Sequence, residues 1–138
     1  MEDIRKFFEK RDKFAKYVGI EIVDISPGRA KVKMDIKKHH LNGLNIVHGA
    51  VLFTLADYAF AIASNSHGRA AVSINSTMSF LKAVSKGTIY AEAIELSKNP
   101  KLATYKVDVV HEEGGLLAVF QGTVYRKKQS LAGILSKL

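Results

Sequence analysis

The chain has 138 residues, of which 47% are hydrophobic and 25% charged. That is enough for one domain spanning 1–138, and too apolar for a disordered tail. The absence of cysteine excludes a disulfide scaffold, thiolate catalysis and thiolate zinc sites. The net charge of +8 calls for an anionic partner, whether nucleic acid, membrane surface or phosphate-bearing ligand.

The first segment, Glu2 to Tyr17, carries Ile4, Phe7, Phe8, Phe14 and Ala15 at helical spacing, with Gly19 just beyond. It predicts one amphipathic helix packed on its own domain, the commoner use of such a segment than a membrane surface. Ile20 to Ile25 is a strand whose alternation slips at Ile22-Val23, which predicts a bulge. The turn Ser26-Pro27-Gly28 then joins it to a strand through Ala30, Val32, Met34 and Ile36, making a hairpin.

From Gly49 to Asn65 the pattern is helical and apolar all round, so this helix must be enclosed. Four alternating stretches follow, starting near Val72, Thr88, Ala103 and Leu116. They read as an antiparallel meander joined at Lys86-Gly87, Asn99-Pro100 and Gly114-Gly115. The fold class is therefore α+β: a curved antiparallel sheet of five to six strands wrapped around a long central helix, the hotdog architecture.

No apolar run reaches the roughly 18 to 20 residues of a membrane span. The N-terminal residues are too charged for a signal-peptide core, and the expected location is the cytoplasm. Basic residues occur in runs of no more than three, with no zinc-finger spacing or RNP-type strand, so neither nucleic acid nor membrane is an expected partner.

Within the central helix Asp57 stands out. An aspartate has poor mid-helix propensity, and an unpaired buried carboxylate is costly. It is either paired structurally or serves as base or nucleophile in an apolar site that raises its proton affinity. Gly49 opens the same helix. Its N–H is an unpaired first-turn donor at the positive end of the macrodipole, fit to stabilise an oxyanion. Eight residues separate the two, about 12 Å along the helix axis. One carbonyl cannot easily meet both within one chain. Two antiparallel helices of a homodimer would bring Gly49 of one protomer to Asp57 of the other.

The segments His40-Leu41-Asn42-Gly43, His48-Gly49-Ala50, Leu55-Ala56-Asp57, Ala71 to Asn75 and Phe80-Leu81-Lys82 resemble the hotdog-fold acyl-CoA thioesterases, most of all the phenylacetic-acid-pathway type. Ala50 departs from the family's frequent second glycine. The resemblance implies acyl-CoA hydrolysis to a carboxylic acid and free CoA, with no metal and no cofactor. Asp57 would be base or nucleophile, and the Gly49 amide of the opposing subunit would polarise the carbonyl. Asn42 would orient substrate or water. Ser73 would hold the water, with Asn75 and Thr77 as rivals on the same face. His48 would shape the loop or touch the acyl end. Lys82, Lys86 and Arg126, with the basic residues after it, would bind CoA phosphates. The homodimer completes the site, and a dimer of dimers, hence a homotetramer, is the expected assembly. The adjacent His39 and His40 are expected to point apart and hold no metal. The alternative reading is a non-catalytic acyl-CoA-binding or sensor protein on the same fold.

Overall fold

The computed structural model describes residues 1–135. Two short helices open the chain, α1 (Glu2–Arg11) and α2 (Lys13–Val18). The single helix expected here is broken at Asp12, whose side chain accepts the Ala15 N–H at 3.0 Å and starts α2 afresh. Gly19 ends α2 in the left-handed conformation that an L side chain adopts only at a cost.

The hairpin β1 (Ile20–Ser26) and β2 (Arg29–Asp35) follows, with the expected bulge between Ile22 and Asp24. A 3-10 turn at Lys38–His40 and a loop lead to the central helix α3 (Gly49–Asn65). Strands β3 (Arg69–Phe80), β4 (Thr88–Lys98), β5 (Leu102–His111) and β6 (Leu116–Ser130) complete the sheet. A last short helix is α4 (Leu131–Leu135).

All six strands form one antiparallel sheet in the order β1-β2-β4-β5-β6-β3. The expected meander therefore holds only from β4 to β6. β3 and β4 are not neighbours, and the connection through Lys86-Gly87 is not a hairpin turn. Residues 81–87 instead cross the end of the sheet. On the way, the Val84 carbonyl accepts the Val47 N–H at 2.8 Å and the Gly87 carbonyl accepts the Ile36 N–H at 2.9 Å. β4 is thereby delivered to β2, and β3 stays at the far edge beside β6.

One sheet face packs on α3. Its core includes Val32, Met34, Ile89, Ala91, Tyr105, Val107, Phe120 and Val124, set against Leu52, Leu55, Ala56, Ala59, Phe60, Ile62 and Ala63. Phe120 lies between Phe53 and Phe60, at ring-centroid distances of 5.5 and 5.3 Å. The helix is not enclosed all round, however. Ala50 is exposed, and Val51, Phe53, Thr54, Asp57 and Ala61 are half-buried, forming an open stripe at helical spacing. Among the described residues no helix is long and apolar enough to cross a membrane.

Candidate active site

The start of α3 is built by the loop before it. His40 is buried, and both ring nitrogens are committed. Nδ1 accepts the Lys37 N–H at 2.9 Å and Nε2 meets the Val18 carbonyl at 2.7 Å. Burial therefore holds its pKa below the usual histidine value, outweighing the raising effect of the Val18 bond. Contrary to expectation, the rings of His39 and His40 do not diverge; their centroids are 4.2 Å apart. His40 is a strut between α2 and the loop, and its carbonyl accepts the His48 N–H at 2.8 Å.

Asn42 shapes the loop itself. Its side-chain oxygen accepts the Leu44 N–H at 2.8 Å and the Ile46 N–H at 3.4 Å. That oxygen is spent on the backbone, which leaves the Nδ2 group as the part able to meet a ligand.

His48 is the N-cap of α3. Its Nδ1 accepts the Ala50 N–H at 3.1 Å, and its carbonyl accepts the N–H groups of Val51 and Leu52. Of the first-turn donors, the Gly49 N–H alone is left without an acceptor among the described residues. Beside the same residue lies the ring of Phe80, 3.4 Å from where a Cβ on Gly49 would stand. An unpaired donor at the helix's positive end and an aromatic wall thus meet at one point.

Asp57 sits on the open stripe of α3, half-buried. Burial raises its pKa above the usual carboxylate range, and the carboxylate of Asp12, at the α1–α2 junction, raises it further. The adjoining Tyr58 is buried against Phe8, with ring centroids 6.0 Å apart, and its hydroxyl is likewise pushed to a higher pKa by burial.

The strand expected to hold a water runs antiparallel to α3. Phe80 meets Gly49 at one end. At the other, Asn65 accepts the Ala71 N–H at 3.0 Å. A bulge between Ser73 and Asn75 resets the alternation of β3. Ser73 pairs with Val124, Ser76 with Gly122 and Met78 with Phe120, so all three lie on the α3 side. Asn75 pairs with Thr123 and Thr77 with Gln121, on the outer side. The expectation that Ser73, Asn75 and Thr77 share a face is therefore overturned. Ser76, not among the expected site residues, is an α3-side hydroxyl midway along β3 between Phe80, which meets Gly49, and Ala71, which meets Asn65. Its alternation with Met78 and Phe80 already sets it on that face, whereas Ser73 joins it only through the bulge, which plain alternation does not predict.

Of the expected phosphate-binding residues, Lys82 and Lys86 come together. They line an open cleft of about 500 Å³ with His111, Glu112 and Gly115, between residues 81–87 and the β5–β6 turn. His111 fixes its rim by a 2.8 Å bond to the Lys86 carbonyl. Val84 joins this cleft to the start of α3. Arg126 does not belong with them. It is buried, donates to the Asn99 carbonyl at 2.9 Å and lies opposite Ala71, at the other end of β6. Its guanidinium braces the β4–β5 turn, so placing it among phosphate ligands is corrected.

A model of the thioesterase superfamily matches residues 44–118. A protein of Archaeoglobus fulgidus named only provisionally as an esterase is 41% identical over 127 residues, covering 91% of this chain and 82% of that one. Acyl-coenzyme A thioesterase PaaI of Escherichia coli K12 is 35% identical over 125 residues, 90% of this chain and 89% of that one. The solved structure of the E. coli PaaI protein superposes with a TM-score of 0.86 at 34% identity, over 89% of this chain and 90% of that chain. The TT0310 protein from Thermus thermophilus superposes with a TM-score of 0.81 at 38% identity, over 85% of this chain and 99% of that chain.

Proposed function

As a member of the thioesterase superfamily this chain is a thioester hydrolase, and from that premise we propose that it hydrolyses acyl-CoA as a homodimer with two sites shared across the interface. The observation that carries the reading is the pairing, on one helix, of the unpaired Gly49 N–H with its single acidic side chain, Asp57, on the open stripe.

In each site a water held beside Asp57 of one protomer attacks the thioester carbon. The carboxylate takes the water's proton as the new C–O bond forms. Negative charge gathers on the carbonyl oxygen, where the Gly49 N–H of the opposing protomer and its helix dipole stabilise it. Collapse of the adduct breaks the C–S bond. The CoA thiolate leaves and recovers the proton from Asp57, giving the carboxylic acid and free CoA. The Asn42 Nδ2 group, the hydroxyls of Ser73 and Ser76, and His48 complete the first contacts with water and substrate. The acyl group lies along the Phe80 wall, and Lys82 and Lys86 take the phosphates of CoA. None of these steps calls on a metal or redox cofactor.

Two features support the dimer. The open stripe of α3 holds small residues, Ala50 and Ala61, that permit close approach of a second helix. β3 is an edge strand of twelve residues with Ile74 and Phe80 more than half exposed, as is Leu81 just beyond it. Such an edge is a liability unless it is paired. Antiparallel pairing of two β3 edges would set two α3 helices side by side in opposite directions. A dimer of dimers would use a further surface, and the register aligns the exposed Val72, Tyr125 and Leu102 in one row on the outer face. The cytoplasm remains the expected location.

Subunit complementation tests this reading. Gly49→Val and Asp57→Asn homodimers are each expected to release little thiol from a panel of acyl-CoAs. Refolded together, they form mixed dimers in which one site keeps both parent groups. Activity should then return to roughly a quarter of the parent's, since half the dimers are mixed and each has one intact site. No recovery, with mixed dimers present by mass, would overturn the shared site.

A further inference from the structure

At the C-terminal end of α3, about 24 Å along the helix from Gly49, α1 leans over the Ser66–Gly68 turn and the start of α4 to leave a second cavity of about 580 Å³. Its volume is in the range of small-ligand sites. Ile4, Phe7 and Leu131 give it an apolar wall, and Lys6, Lys10 and Arg11 a basic rim. Asp3 is the acidic residue on that rim.

Arg11 is the informative group. Its guanidinium stands over the Phe7 ring, 5.2 Å from the centroid. Its Nη1 is buried and has no hydrogen-bond partner among the described residues. A charged donor withdrawn from water and left unmatched is costly, and native structures seldom leave one without a missing acceptor. Across the cavity, His67 is held in place. Its Nε2 meets Glu95 Oε1 at 2.8 Å, and the same oxygen accepts the Tyr105 hydroxyl at 2.6 Å. That leaves the Nδ1 edge of the ring uncommitted to Glu95.

We infer that this cavity binds a carboxylate with an apolar tail, its head on the Arg11 guanidinium and its tail along Ile4, Phe7 and Leu131. A guanidinium matches a carboxylate in shape and charge, and the stacked Phe7 ring holds it ready. The ligand is of the same chemical class as the acid that thioester hydrolysis releases, yet its binding here does not depend on which residues perform that hydrolysis.

The test is calorimetric titration of the full chain with decanoate, with decanol, inorganic phosphate and CoA as comparators. Saturable decanoate binding is expected, weakened at least tenfold in Arg11→Met, which keeps the apolar stem of the side chain. Ile4→Glu, on the wall, should weaken it as well, and a thermal melt of each variant shows whether it is folded. Binding should be unchanged in Asp57→Asn and under saturating CoA. The inference is overturned by absence of saturable binding, or by equal binding in folded Arg11→Met and Ile4→Glu. Decanol binding as tightly, phosphate displacing decanoate, or CoA displacing it would overturn it too, since these indicate a purely apolar pocket, a simple anion site and the catalytic site respectively.

Discussion

The ring of Phe80, at the end of β3, lies over Gly49, at the start of α3, so closely that a Cβ there would touch it at 3.4 Å. Gly49 lies in helical conformation, and alanine is the better helix former, so Gly49→Ala should fold with an unchanged melting temperature. The added methyl fills the gap between the Gly49 backbone and the Phe80 ring, and with it room for a carbonyl beside the proposed oxyanion donor. The expected result is a loss of about ten- to hundredfold in kcat/KM for acyl-CoA hydrolysis. Parent-level activity in this variant would remove Gly49 from the site.

Asp57 costs the fold stability when it ionises. Its pKa in the fold is raised, first by burial and then by Asp12. The native state therefore holds this proton to higher pH than the unfolded chain does. The sign follows from linkage: stability falls as pH rises from the ordinary aspartate value, about 3.9, through the raised one. Asp57→Asn removes that loss. It should unfold at a higher temperature than the parent at pH 7, the difference shrinking toward pH 3, while turnover falls by about 10² to 10⁴. A lower melting temperature at pH 7 would show that the ionised carboxylate is stabilised by a partner.

Asp12 sets part of that proton affinity from outside the helix. Asn is as good an N-cap as Asp, so Asp12→Asn keeps the start of α2 and deletes only the charge. The acid limb of the kcat/KM profile should move to lower pH, with the melting temperature nearly unchanged. An unmoved limb would mean that the two carboxylates do not interact.

Ser76 lies on the α3 face of β3, the side that carries Asp57, whereas Asn75 and Thr77 lie on the outer face. Ser76→Ala should lower kcat about tenfold with little change in KM, as expected when a water is misplaced rather than a substrate lost. Asn75→Ala and Thr77→Val, facing away from α3, should leave turnover near the parent's. Measured beside Ser73→Ala, this set tests whether either α3-side hydroxyl holds the water.

Local pattern carried much of this protein. Helical spacing from Gly49 to Asn65, the slip at Ile22-Val23 and the Ser26-Pro27-Gly28 turn are decided by side chains a few residues apart, and each is found where the sequence puts it. Asp57 and Gly49 stand out on the central helix by residue type and position, and the resemblance, most specific over residues 40 to 80, falls on the same two residues. What lay beyond the sequence depends on partners distant along the chain. β3 sits beside β6, not β4, because residues 81–87 are fastened across the sheet end by Val47 and Ile36. Once β3 is paired with β6, a single bulge inverts the faces of everything after Ser73, since side-chain parity in a strand has period two and one extra residue reverses it. Arg126 looks like a surface cation in one dimension, and only the packing of the β4–β5 turn over it makes it a brace. Periodicity follows from local sterics, whereas neighbours, register and burial follow from hydrogen bonds and contacts that form only when distant segments meet.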